Sequence, residues 1–124
     1  VESGEAFNIS NAYTLEEIEK SIEDKKEIFL KKIYTTKEIE YCENKRNAKY
    51  QHYAGRFAAK EAIFKAISET LSNKFAITWT DVEIINDECG KPRVNFINKK
   101  FDMQCEISIS HCKEYAIATA FIIQ

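Results

Sequence analysis

Glycine and proline are scarce, at 3 and 1 in 124 residues. That excludes collagen-like and Gly/Pro-rich low-complexity chains, and no internal repeat or flexible linker divides the sequence. No apolar run approaches the ~20 residues of a membrane-spanning helix; the longest extends from Tyr115 to Ile123. The four cysteines (Cys42, Cys89, Cys105, Cys112) form no C-x-x-C pair. Zinc-finger spacings are therefore missing, His111-Cys112 is a weak ligand pair, and reduced thiols in a cytosol-like compartment are expected. No secretory leader pattern is present, so the sequon Asn8-Ile9-Ser10 reads as a chance match. The chain opens at Val1 rather than Met, so a processing site or further sequence upstream is expected.

Charge of one sign is also lacking overall, with 18 Lys+Arg against 20 Asp+Glu and a net charge of -2. Such a balance gives no general pull toward nucleic acid or an anionic membrane. With 44% apolar and 31% charged residues, the 124-residue length predicts one globular domain spanning 1–124. The total conceals an uneven distribution. Residues 1–44 hold 11 acids and 6 bases, whereas 66–124 hold 8 acids and 6 bases. Between them, residues 45–65 carry Lys45, Arg46, Lys49, Arg56, Lys60 and Lys65 against one acid, Glu61.

Phe7 and Ile9 alternate with polar neighbours and predict a short opening strand. Thr14-Leu15-Glu16-Glu17 reads as a capping box, and Leu15, Ile18, Ile22 and Phe29 follow helical spacing, predicting a helix over about 15–31. Thr35-Thr36-Lys37-Glu38 repeats the capping signal ahead of a short helix containing Ile39 and Tyr41. From Ala48 to Leu71 the pattern is again helical and rich in alanine. After Trp79 the period changes to two. Val82, Ile84 and Ile85 predict a strand, Asp87-Glu88-Cys89-Gly90 a hairpin loop, and Arg93–Ile97 the return strand, with Pro92 where a missing N–H is tolerated. Cys105, Ile107 and Ile109 alternate with Glu106, Ser108 and Ser110 in another strand, and Lys113-Glu114 turns into a last one, Tyr115–Ile123. Helices early and antiparallel strands late predict an α+β fold, a small antiparallel sheet packed with one long and one or two shorter helices.

Chemistry concentrates in Gly55-Arg56-Phe57-Ala58-Ala59-Lys60-Glu61-Ala62-Ile63-Phe64-Lys65-Ala66. On a helix Glu61 and Lys65 are i and i+4 and share one side, with flanking alanines expected to keep that surface low. A carboxylate between two cations, Arg56 and Lys65, suits a phosphate-metal site in which the carboxylate holds a hard cation such as Mg2+. The same spacing more commonly marks an ordinary surface ion pair worth a few tenths of a kcal/mol, and the spacing alone leaves both open.

This segment resembles the signature of the holo-acyl-carrier-protein synthase family, the short, bacterial-type 4'-phosphopantetheinyl transferases. Other stretches resemble the family in order: Phe29–Thr35, Glu38–Tyr41, Trp79–Ile84, Gly90-Lys91-Pro92, Ser108-Ile109-Ser110-His111 and Glu114–Ala118. The resemblance spans about residues 15–123. It implies an enzyme of 4'-phosphopantetheinyl transferase-like fold. That enzyme transfers 4'-phosphopantetheine from coenzyme A to a serine of apo acyl carrier protein, depends on Mg2+ and releases adenosine 3',5'-bisphosphate, within fatty acid biosynthesis. It also implies that Glu61 is a metal ligand and catalytic, that Lys65 is catalytic and touches the coenzyme A phosphates, and that Arg56, Pro92 and His111 lie along the bound coenzyme A. A homotrimer with the site between subunits is implied as well, with no nucleic-acid or membrane partner. The implied location is cytoplasmic, or the plastid stroma if the source is a plastid-bearing parasite.

Two departures stand out. The family opens with a strand ending in Gly-x-Asp, whose Asp shares the metal. The gapless register places Asn11 there, an amide that brings an oxygen but no charge; alternatively that Asp lies upstream of Val1. After Ala66, Ile67-Ser68-Glu69-Thr70 replaces the family's Gly-Thr-Gly turn. Carrier-protein docking is expected on a basic face of helix 15–31 or on the 45–65 patch. Two rival readings remain open: a coenzyme A-binding relative with impaired catalysis, and an anion-binding module using 45–65 for nucleic acid or phosphoprotein.

Overall fold

The computed structural model of the chain describes residues 6–70, 77–98 and 103–123, with side chains described over 14–68, 77–98 and 103–122. Strand β1 (Ala6–Thr14) leads into helix α1 (Leu15–Ile33), then α2 (Thr36–Glu43) and α3 (Lys49–Thr70). Strands β2 (Val82–Asn86), β3 (Pro92–Phe96), β4 (Gln104–His111) and β5 (Tyr115–Ile123) follow. The strands divide into two antiparallel sheets, one ordered β1-β5-β4 and one a β2-β3 hairpin. This is the α+β arrangement expected from helices preceding an antiparallel run. Leu71, the expected end of the third helix, lies outside the described residues. Trp79–Asp81 forms a single 3-10 turn, so the strand after it begins at Val82.

Both capping signals mark helix starts, and the second forms the full reciprocal box. Thr14 Oγ1 accepts from Glu17 N at 3.3 Å, and Thr35 Oγ1 accepts from Glu38 N at 3.3 Å while Glu38 Oε1 accepts from Thr35 N at 2.8 Å. The sequence predicts an unbroken first helix, but α1 is kinked at Lys26, whose φ of 43° lies in the left-handed region. Residues 23–28 are all exposed, so no packing holds this charged stretch to helical geometry.

Helix α3 is the centre of the molecule and packs on β5, β1, β4, α1 and α2. A helix covered on so many sides needs apolar residues around its circumference rather than along one stripe. Its alanines are the means. Ala58, Ala59, Ala62 and Ala66 are fully buried with Ala118, Ala120 and Ile122 of β5, which lets the helix lie close to the sheet. The alanines beside Glu61 thus face the core and do not form the low outer surface expected from the sequence. The other side of α3 offers Tyr53 and Ala54 to a second cluster with Leu15, Ile18, Ile22, Ile33, Tyr34 and Cys42.

Candidate active site

The functional residues are placed by α3, and α3 is placed by a buried ion pair. Lys60 and Glu38 are both fully buried, with Lys60 Nζ 2.6 Å from Glu38 Oε1. The ammonium also donates to Ile33 O at 2.7 Å and to Trp79 O at 3.0 Å, so each of its three protons has an acceptor. Glu38 Oε2 accepts from Ile84 N at 2.7 Å. Burial pulls the Lys60 pKa below the ordinary lysine value, opposed by Glu38. Lys60 therefore does not belong to a basic outer wall. The +5 balance of 45–65 is further divided, since Lys49 pairs with Glu43 at 3.5 Å and Lys45 lies over the Tyr41 ring.

One turn before Lys60, Arg56 is 4% exposed and rests on the Tyr41 ring, 4.2 Å from its centroid. Its guanidinium donates to Asn86 Oδ1 at 2.6 Å, and Asn86 Nδ2 donates to Gly90 O at 2.9 Å. Arg56 Nε is buried with no hydrogen-bond partner among the described residues. A buried, unsatisfied cationic donor costs free energy until an acceptor arrives. Two adjoining hollows share Tyr41, Arg56, Asn86 and Gly90. One, of about 180 Å³, is completed by His52, Gly55, Pro92, Ile109 and His111. The other, of about 460 Å³, adds Lys37, Lys45 and Asp87. The site residues Arg56, Pro92 and His111 expected from the sequence thus meet in one cleft.

Gly55 makes that meeting possible. A Cβ at this position would sit 2.9 Å from Ile109 Cγ2, so only glycine lets β4 approach α3 here. His111 lies at the exposed end of β4, as its position predicted. Its Nδ1 is 3.0 Å from Gln51 Oε1, and its ring meets His52 edge-on with centroids 4.9 Å apart. His52 in turn meets Tyr41 at 5.5 Å. Burial first, then His111, Lys45 and Arg56, bring His52 down to about 4. Burial and then Arg56 also lower His111.

Glu61 and Lys65 stand outside this cleft, farther along α3 and about one and a half and two and a half turns from Arg56. They form the expected i,i+4 pair at 3.9 Å, with side chains 29% and 53% exposed. Asn11 sits in β1 with Ala118 of β5 as its register partner. Among the described residues no three His, Cys, Asp or Glu gather as a metal cage. Sequence reasoning missed Tyr41, Gln51, His52 and Asn86. Asn86, just ahead of the Asp87–Gly90 loop, carried a turn signal that could have singled it out; the other three carried none.

The sequence and the fold are similar to those of known proteins. Residues 14–120 match the family described as the 4'-phosphopantetheinyl transferase superfamily. A holo-[acyl-carrier-protein] synthase of Fusobacterium nucleatum is 48% identical, over 88% of this chain and 91% of its own. One from Ruminiclostridium cellulolyticum is 38% identical over 87% and 84%. The crystal structure of a holo-(acyl-carrier-protein) synthase from Bacillus anthracis, in complex with CoA (3',5'-ADP), superposes with a TM-score of 0.77. It is 30% identical, over 94% of this chain and 95% of that one. The Helicobacter pylori enzyme in complex with coenzyme A gives 0.79 at 27% identity, over 94% and 99%.

The low His52 pKa sets a pH dependence. The unfolded imidazole binds its proton near 6.5 and the folded one only near 4. The unfolded chain therefore binds more protons between these values, and stability held in full above about 6.5 is lost as pH falls toward 4. His52→Phe should make the drop in melting temperature between pH 7 and pH 5 shallower than in the parent; parallel curves would contradict it.

Proposed function

Since this chain belongs to the 4'-phosphopantetheinyl transferase superfamily, we propose that it is a holo-[acyl-carrier-protein] synthase that moves 4'-phosphopantetheine from coenzyme A to a serine of apo acyl carrier protein. The observation that carries this reading is Arg56, in the signature segment, lining a cleft with Pro92 and His111 while its buried Nε has no hydrogen-bond partner among the described residues. Coenzyme A is elongated, with a phosphate on its nucleotide end and a diphosphate farther along. Arg56 and His111 suit the nucleotide phosphate, and Glu61 and Lys65, about one and a half to two and a half helical turns from Arg56, suit the diphosphate.

In the reaction the serine oxygen forms a bond to phosphorus, the P–O bond to adenosine 3',5'-bisphosphate breaks, and the serine proton is released. Negative charge builds on the phosphoryl oxygens. Lys65 faces that charge and assists the proton's departure, while Arg56, Pro92 and His111 hold the nucleotide so that the diphosphate cannot drift. A partly exposed carboxylate, in no cage of three such ligands among the described residues, fits Mg2+, which keeps several waters and takes one or two carboxylates plus substrate phosphates. Glu61 would hold the ion, with Asn11 as second ligand; when bound, the ion supplies charge neutralisation at the diphosphate. We place the activity in the cytoplasm; no helix among the described residues is long and apolar enough to cross a membrane.

We further propose a homotrimer with the site between subunits. The outward side of central strand β5 leaves Tyr115 and Ile117 56% and 47% exposed, an apolar surface that a second copy would cover. Ile117→Glu should convert a trimeric sedimentation mass into a monomeric one. A parent that sediments as a monomer would exclude the trimer.

Incubated with Mg2+, coenzyme A and apo acyl carrier protein, the parent should add the mass of one phosphopantetheine to the carrier serine. Glu61→Gln should slow this by about 100-fold or more, in the range of losing one transition-state electrostatic contact. No mass gain with the parent would overturn the function, and a full-rate Glu61→Gln would overturn the metal role.

A further inference from the structure

His111 lines the cleft but is not ready to bind a phosphate. Its Nδ1 lies 3.0 Å from the side-chain carbonyl oxygen of Gln51. A carbonyl oxygen only accepts, so in the tautomer that makes this hydrogen bond Nδ1 carries the proton, and in a neutral ring Nε2 is then a bare acceptor. A phosphate oxygen is also an acceptor. The two can bond only after Nε2 gains a proton.

The surroundings keep that proton away while no anion is present. Groups facing the imidazole are Gln51, His52 and Arg56 from α3, with Tyr41 from α2 and Lys45 just beyond it. Two of these are cations, and none is an acid. His52 abuts the His111 ring edge-on and adds apolar contact where water would otherwise solvate an imidazolium. Burial and Arg56 hold His111 below its usual value. An incoming phosphate reverses the field, because its negative charge offsets Arg56 and rewards a charged imidazole.

Resting on the reading of this cleft as the nucleotide site, we propose that a phosphate-bearing ligand binds here with uptake of one proton, carried to Nε2 of His111. Gln51 is the positioning residue that sets the tautomer. The balance is simple: one proton leaves solvent, Nε2 becomes N–H, and a hydrogen bond to phosphate forms. Affinity should then weaken as pH rises, by up to about tenfold per pH unit above the pKa of the free site.

Isothermal titration calorimetry with adenosine 3',5'-bisphosphate tests this at pH 7.5, where the phosphates of the probe are largely ionised. Running it in two buffers of different ionisation enthalpy counts the protons exchanged. The parent should take up close to one proton. Gln51→Glu places a carboxylate against Nδ1 and charges His111 in advance, so uptake should fall by more than half while binding persists. Binding by the parent without uptake, or equal uptake in Gln51→Glu, overturns the coupling and leaves the nucleotide site standing. No binding by the parent overturns both.

Discussion

One buried ion pair ties the early helices to the late strands. Lys60 of α3 meets Glu38 of α2 with both side chains out of water, and the four backbone groups bonded to them come from the end of α1, the start of α2, the 3-10 turn at Trp79 and β2. Such a pair gains from Coulomb attraction only when all remaining protons and lone pairs are satisfied, and here the ammonium has its three acceptors. The cost of desolvating two charges is offset by geometry that fixes where α1 ends, where β2 begins and how α3 is turned about its axis.

That rotation governs the site. With Lys60 directed toward α2, the small residues Ala58, Ala59, Ala62 and Ala66 are set against the alanines of β5, bringing helix and sheet close. Arg56 is brought over Tyr41 and against Asn86, Gly55 takes up the close approach of Ile109, and Glu61 and Lys65 are left toward solvent. The strong positive balance of 45–65 thus includes three different settings: a buried, fully paired cation at Lys60, a buried guanidinium over Tyr41 at Arg56, and a partly exposed pair at Glu61 and Lys65. Two of the six bases, Arg56 and Lys60, are thereby withdrawn from the water-facing surface of the segment.

Much of the fold was legible because its signals are local. Capping boxes at Thr14 and Thr35 marked helix starts, and alternation in Val82–Ile85 and Cys105–Ile109 marked strands. Arg56, Pro92 and His111 were legible through their place in spaced motifs. Lys60 was not, because its partner lies 22 residues away and lysine ordinarily sits in water. The kink at Lys26 was hidden for the opposite reason: helical spacing continues through it, and only the absence of packing permits the break. His52 and Gln51 carried no motif, and their importance arises from the edge of β4 meeting α3 at a glycine.

The most direct test is a double-mutant cycle on the buried pair, read by chemical denaturation of the parent, Lys60→Met, Glu38→Gln and the double variant. Each single change strands a buried polar partner and should cost about 3–5 kcal/mol. If the pair acts as one unit, the double variant should be far less destabilised than the sum of the two. Additive losses, within about 0.5 kcal/mol of that sum, would show that the two residues act independently and would contradict the dependence of the fold on their contact.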